Sequence, residues 1–440
     1  MLLAINKILW GITTIMILVI SSYFSIKLRF IQFRFGQMLK FLFSKTTTGK
    51  DSMSPIESLN ISLAARIGVG SLAGIALSIY LGGIGTIFWI WISALISAPN
   101  AFAESLLGVV YRNKDEQNIF RGGPPYYIKY GLGNMGLAKL SALAIAFAYI
   151  IGFITVQANT IVKSVYNYVN IYPSLIALFI TIISALIIFG GIKKIAIIAS
   201  VLVPIMGGIY CLASLYIIIM NYNQIPTILF NIVTSAFNVK AFGASLITVF
   251  IIGIQRGVFS NEAGLGTSAI AAATTTVNKP YEIGLIQVLG VYFTSLVICT
   301  ITALVILTSN YEILLLSDIN GIEITLYAFK YHLGLLGELI VIITIILFAY
   351  STIITGYYYG ESCFKFLLNK VSLIHLIILR TLTTILIFIG SIMSSIRLWR
   401  FVDIVTAVVA IINLYALFLL RRDIFYEVEY SALKKKCDTI

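Results

Sequence analysis

Arg66-Ile67-Gly68-Val69-Gly70-Ser71-Leu72-Ala73-Gly74 interrupts an apolar run that extends from about Ile56 to Tyr80. Three glycines and an arginine in nine residues are foreign to a simple membrane span. Each glycine lowers helical stability by about 1 kcal/mol relative to alanine, which favours local unwinding. Unwound backbone at membrane depth persists only inside protein or along a cavity. Freed carbonyls and half-helix ends facing such a cavity can bind a small zwitterion or a cation. Taken alone, the stretch also fits a glycine-lined packing face between helices.

The rest of the chain fixes the class. With 60% hydrophobic residues, 11% charged residues and a mean hydropathy of +1.01, 440 residues make an all-α polytopic membrane protein and leave no room for a large soluble domain. The net charge of +13 sits in short segments between apolar runs, the positive-inside pattern of a protein in a lipid bilayer and not a nucleic-acid surface. Cys211, Cys299, Cys363 and Cys437 have no paired spacing; we read them as neither disulfides nor metal ligands. The first apolar run carries a single lysine, Lys7, at its start and has no small-residue cleavage site, so a retained helix is expected.

Eleven runs are long enough to span, near 5–26, 56–80, 85–111, 137–162, 172–190, 195–220, 242–273, 283–308, 336–363, 371–394 and 401–420. Lys27, Arg29, Arg34, Lys40, Lys45 and Lys50 lie among Phe and Leu between the first two runs, as in a surface amphipathic segment. Arg112, Lys114, Arg121, Lys129, Lys193, Lys194, Lys279, Lys365, Lys370 and the tail with Arg421, Arg422 and Lys434 fall on the same side. The loops at 221–239 and 310–323 are poor in Lys and Arg, the latter carrying Glu312, Asp318 and Glu323. This distribution places the N-terminus outside and the C-terminus in the cytoplasm of a cell (inner) membrane protein, against which only Arg397 and Arg400 run.

Without the first helix, ten spans divide into five plus five, and an odd number per half inverts one half relative to the other. The expected organisation is residues 1–55 (first helix and basic segment), 56–221 (first repeat), 222–241 (extracellular connection), 242–420 (second, inverted repeat) and 421–440 (basic tail). The first span of the second half is also interrupted, at Gln255-Arg256-Gly257-Val258-Phe259-Ser260-Asn261-Glu262-Ala263-Gly264-Leu265-Gly266. Broken first and sixth core helices in two inverted halves point to a transporter's binding site.

Ala64-Ala65-Arg66-Ile67-Gly68-Val69-Gly70-Ser71-Leu72-Ala73-Gly74-Ile75-Ala76, then Gly82-Gly83-Ile84-Gly85 and Phe88-Trp89-Ile90-Trp91, resembles the signature of the alanine or glycine:cation symporter family, also known as the sodium:alanine symporters. Arg256 to Gly266, Leu347-Phe348-Ala349-Tyr350-Ser351-Thr352-Ile353-Ile354 and Tyr358-Tyr359-Gly360-Glu361 are similar to further blocks of that family, in family order from about 60 to 365. The resemblance implies an eleven-helix inverted-repeat fold related to the sodium-coupled amino-acid transporters, importing a small neutral amino acid with sodium or protons.

The resemblance makes Val69, Gly70, Ser71, Gln157, Asn159, Gln255, Gly257, Thr352, Thr355 and Gly356 the candidate substrate-binding positions. The chain departs from the family where it has Gly68-Val69-Gly70-Ser71 for Gly-Thr-Gly-Asn, Thr355-Gly356 for Gly-Trp, and Thr294 for a usual acidic residue. A pocket that loses a tryptophan at 356 is either enlarged or filled by another side chain. Ala65, Gly68, Ser351 and Thr352 are the candidate sodium ligands, because hard cations take oxygen donors. The competing role for Ser351 and Thr352 is hydrogen bonding back to their own helix, and for Gln157 and Asn159 it is polar contact between helices.

Arg66, Glu104, Arg256 and Glu262 are ionisable residues in or at the edges of spans. An unpaired charge at the bilayer centre costs at least about 2.5–3.5 kcal/mol, so each is expected to pair, face water or lie near an interface. Glu262 fits a structural or gating role, and Glu104 a salt bridge at the cytoplasmic edge or a proton carrier. Arg121-Gly122-Gly123-Pro124-Pro125 is expected as an ordered cytoplasmic loop. No cofactor motif and no His, Asp, Ser or Cys constellation at an interface supports an intramembrane enzyme. The expected function is secondary active import of an alanine- or glycine-like amino acid with sodium; a proton-coupled carrier is the nearest alternative and a passive channel the next.

Overall fold

A computed structural model describes residues 2–44, 53–116, 118–169, 171–238, 246–310, 312, 321–368 and 371–437. Lys45, Lys50, Asp318 and Lys370 lie outside them. Among the described residues, helices joined by turns and short irregular segments are accompanied by one two-stranded hairpin. The chain opens with α1 (Leu2–Lys27), the short α2 (Phe35–Leu42) and α3 (Pro55–Arg66). In the basic segment after α1, α2 buries Met38 and Phe41 and exposes Phe35 and Leu39.

Ser54 caps α3 through a reciprocal bond with Glu57, and proline at the first helical position favours the start there. The helix ends at Arg66; one 3-10 turn, Val69–Ser71, leads into α4 (Ala73–Gly82). The long α5 (Thr86–Val110) precedes strands β1 (Asn113–Lys114) and β2 (Phe120–Arg121), antiparallel with Asn113 opposite Arg121. The Gly-Gly-Pro loop then enters α6 (Pro124–Gly131) as an ordered element.

Helices α7 (Met135–Phe147) and α8 (Ile154–Val169) are joined by a π-helical turn, Ala148–Phe153. They are followed by α9 (Pro173–Ile188), α10 (Gly191–Met220) and α11 (Ile225–Ser235). The second interruption separates α12 (Leu246–Asn261) from α13 (Thr267–Ala273), with Glu262 left-handed at φ 56° between them. Helices α14 (Pro280–Tyr292) and α15 (Cys299–Leu307) flank another π-helical turn. The last four are α16 (Ile322–Leu367), kinked at Gly334, then α17 (Leu373–Ile392), α18 (Ser395–Leu419) and α19 (Arg421–Cys437).

Eight of these helical stretches are long and apolar enough to cross a membrane, and exposed Ile, Leu and Phe cover their outer faces. The other three expected runs coincide with α3–α4, with the 16-residue α9 and with α12–α13. Both interruptions are buried at the centre, enclosed by α5, α8, α14 and α16. Cys299 and Cys363 are buried free thiols and Cys211 is half-buried, consistent with packing roles.

Candidate functional site

The first interruption is held open by specific substitutes for helical hydrogen bonds. Ile67 N–H still closes the last turn on the Leu63 carbonyl. Val69 N–H turns instead to Gln157 Oε1 on α8 at 3.0 Å, so the Ala65 carbonyl loses its helical donor. Gly68 permits this path because a Cβ there would lie 2.5 Å from Thr352 Oγ1 and 3.0 Å from the Gln157 amide.

Two hydroxyls of α16 meet the freed carbonyls. Ser351 Oγ lies 3.0 Å from the Ala64 carbonyl and 2.9 Å from that of Phe348. Thr352 Oγ1 lies 3.1 Å from Ala64 O, 3.3 Å from Ala65 O and 3.0 Å from Phe348 O. Three carbonyls thus converge on two hydroxyls that have one proton each, which leaves more lone pairs than donors. An acceptor-rich, all-oxygen cluster without a carboxylate suits a hard monovalent cation. Ala65, Gly68, Ser351 and Thr352 are together, as expected; Ala64 joins them and had no signal of its own in the sequence.

The second interruption packs beside the first. Ser71 and Ser260 hydroxyls are 3.0 Å apart, and the Phe259 ring covers Gly70, where a Cβ would meet it at 2.9 Å. Glu262 accepts from the Tyr149 hydroxyl at 2.7 Å and from Thr267 at 2.8 Å. Glu104 corrects the expectation of an edge salt bridge: it accepts from Gly266 N–H (2.9 Å), Asn413 Nδ2 (2.9 Å) and the Ser268 hydroxyl. It therefore sits at the N-terminal end of α13, where the helix dipole favours a negative charge.

Other candidates are placed elsewhere or already engaged. Asn159 is committed to the end of α17: its Nδ2 reaches the carbonyls of Gly390, Ser391 and Met393 at 2.8–3.1 Å, and Ser395 donates to its Oδ1. Gly257 is a helix-crossing position, since a Cβ there would collide with Ser93 Oγ at 1.9 Å. Thr355 donates back to the Ser351 carbonyl at 2.7 Å. Gly356 faces Tyr149 and Ile154, whose atoms would lie 3.3 and 3.5 Å from an added Cβ, so the space is filled and not open. The Tyr149 ring also stacks on Phe153, which stacks on Phe259, with centroids 4.5 and 4.9 Å apart.

Two ion-paired clusters flank this centre. Arg256 Nη2 binds Asp403 Oδ2 at 2.7 Å, with buried Gln255 alongside and Trp399 under the guanidinium at 5.1 Å. Asp403 was missed, although a lone carboxylate inside the apolar 401–420 run is itself a signal. At the opposite end, Arg121 pairs with Asp115 (3.1 Å) and Glu361 (3.5 Å), and Lys365 with the same two at 3.6 and 3.3 Å. Burial pushes the Asp115 carboxyl up, yet the Ile119 N–H and the Arg121 guanidinium hold it below the usual carboxylate range.

The model of the sodium:alanine symporter family matches residues 1–439. This chain belongs to that family. It is 34% identical to the amino-acid carrier protein AlsT of Bacillus subtilis, covering 98% of this chain and 92% of that one. With the sodium/alanine symporter AgcS of Methanococcus maripaludis it shares 35% identity over 94% of this chain and 93% of the relative. The crystal structure of MhsT in complex with L-phenylalanine has the same fold, with a TM-score of 0.62 at 14% identity over 84% of this chain and 89% of that chain. The chain is thus a multi-pass membrane protein of a transporter family.

Proposed function

We propose that this family member imports a small neutral amino acid with sodium across the cell (inner) membrane by alternating access. The observation that carries the proposal is the convergence of the Ala64, Ala65 and Phe348 carbonyls on the Ser351 and Thr352 hydroxyls beside an unwound helix. These oxygens would coordinate the sodium ion, and Gly68 would keep Thr352 in place. The substrate carboxylate would be received at the half-helix N-terminal ends near Gly70 and Ser71, and Gln157 would fix the unwound strand that presents them. Asn159 and Gly257, committed to helix contacts, are left out of this contact set.

In this reading the molecule has eleven spans: α1, then two inverted sets of five, 56–221 and 242–420, joined by 222–241. The N-terminus is outside and the tail from 421 cytoplasmic. Arg256–Asp403 with Phe259 and Trp399 closes the outer side, and the Arg121–Asp115–Glu361–Lys365 group the inner. With Tyr149 filling the space beside Gly356, the pocket takes a compact side chain. Glu104 and Glu262 each take hydrogen bonds at both oxygens, which ties the two carboxyl groups into the second helix break.

Uptake of labelled amino acids into proteoliposomes, with an inward sodium gradient, a proton gradient or neither, tests the proposal. Sodium-driven accumulation of alanine, glycine or a similar neutral amino acid is expected. Accumulation under the proton gradient alone would replace the ion, and equilibration without concentration would replace the carrier by a channel.

A further inference from the structure

On the Lys- and Arg-rich face, a cavity of about 250 Å³ opens between the β1–β2 hairpin, α6 and the facing ends of α16 and α17. Two kinds of wall meet there. Phe366, Val371 and Leu376 form the apolar side, and Leu376 belongs to a helix whose first residues, Leu373 and Ile374, are both 68% exposed. Lys114, Arg121, Lys129 and Lys365 stand on the polar side with the carboxylates Asp115 and Glu116; Glu361 lies behind.

These charges are not evenly matched. Asp115 and Glu361 are taken by Arg121 and Lys365. Lys114 and Lys129 have no carboxylate partner among the described residues, and their ammonium groups rest only on the Phe120, Tyr130 and Phe366 rings. Arg121 is 1% exposed, yet its Nη1 has no hydrogen-bond partner among the described residues. Tyr130 accepts from Asn113 Nδ2 at 3.4 Å, which leaves its hydroxyl proton unused. Glu116 at the exposed rim offsets one lysine at most, so a buried, unpartnered guanidinium nitrogen beside a net positive lining implies a missing acceptor.

We propose that this cavity binds a phosphate group, with Lys114, Lys129 and Arg121 supplying charge and Tyr130 a neutral donor. Lysine and arginine together suit a compact anion with several acceptor oxygens. The apolar wall next to lipid-facing α17 favours the headgroup of an anionic lipid such as phosphatidylglycerol over free phosphate, since acyl chains can leave along that wall. A bound phosphate would tie the hairpin and α6 to the end of α16, next to the Arg121 group. The site goes beyond the transport reading and does not depend on it, because binding is read without uptake.

The test uses the purified full-length protein in detergent at fixed ionic strength. Its melting temperature is followed during titration with phosphatidylglycerol, with phosphatidylcholine as control, and separately with inorganic phosphate against chloride. The double variant K114A/K129A removes two side chains that no ion pair needs, while K114R/K129R retains the charge. A saturable rise with phosphatidylglycerol is expected, weakened about tenfold or more in apparent affinity by the alanine pair and kept by the arginine pair. The same pattern with inorganic phosphate would also support the site and name the free anion as its ligand. No saturable rise with either, or an equal rise in K114A/K129A, would overturn it.

Discussion

The Val69 N–H bond to Gln157 is where one side chain maintains a break in a buried helix. Gln157→Ala leaves that amide buried without an acceptor, a loss of about 1–3 kcal/mol, so the melting temperature and amino-acid uptake should both fall. Gln157→Met keeps the bulk without a strong acceptor oxygen and should lose about as much, which separates the hydrogen bond from packing. Gly68→Ala tests the neighbouring position differently: a Cβ 2.5 Å from Thr352 Oγ1 must push the hydroxyl away, so sodium activation should weaken by about tenfold or more while the protein still folds. Arg66 offers a third prediction. Its Nη1 reaches only the Gln287 carbonyl at 3.0 Å and packs on Gly290, and Nε and Nη2 have no hydrogen-bond partner among the described residues. Thr294 donates to the Gly290 carbonyl at 2.9 Å, one turn from the glycine on which Arg66 packs, at a position where the family resemblance leads one to expect an acid. Thr294→Glu should give Arg66 a partner and raise the melting temperature; an unchanged or lower value would remove that account of Arg66. The α16 hydroxyls of the oxygen cluster were legible because adjacent hydroxyls in an apolar helix are conspicuous. Ala64 was not, since a backbone carbonyl leaves no trace in side-chain identity.

The two broken helices were legible from glycine spacing, and their caps were not. Glu104 shows why: its sequence neighbourhood resembles a span edge, but its partners Gly266, Ser268 and Asn413 come from distant segments. Asn159 misled for the same reason, as the ladder of α17 carbonyls it binds lies more than two hundred residues ahead. The two π-helical turns, 148–153 and 293–298, were invisible because hydropathy is unchanged by one extra residue in a turn. The first of them aims Tyr149 at Glu262 and fills the space beside Gly356. Tyr149→Ala should therefore open room there, and a competition series should shift toward larger neutral amino acids; an unchanged preference would show that Tyr149 does not line the pocket.

Hydropathy marked the apolar runs and the basic face, while the ion pairs at the two flanks join residues far apart in the sequence. Asp403→Asn strands the Arg256 guanidinium in the interior, with a penalty of about 3–5 kcal/mol, and replacing both by similar-sized apolar residues should recover stability but not coupled uptake. The opposite group should be acid-sensitive. Because the folded-state Asp115 carboxyl is held below its usual range, its contribution is complete above about pH 4 and lost as pH falls through the depressed value. Asp115→Asn should remove that dependence from a melting-temperature profile. Coupling at the α3–α16 oxygen cluster is tested most directly by simultaneous entry of labelled sodium and labelled amino acid into proteoliposomes. The native chain should admit both in fixed proportion, and S351A/T352V should lose both while remaining folded. Amino-acid accumulation that persists in S351A/T352V, or proceeds without sodium entry in the native chain, would contradict it.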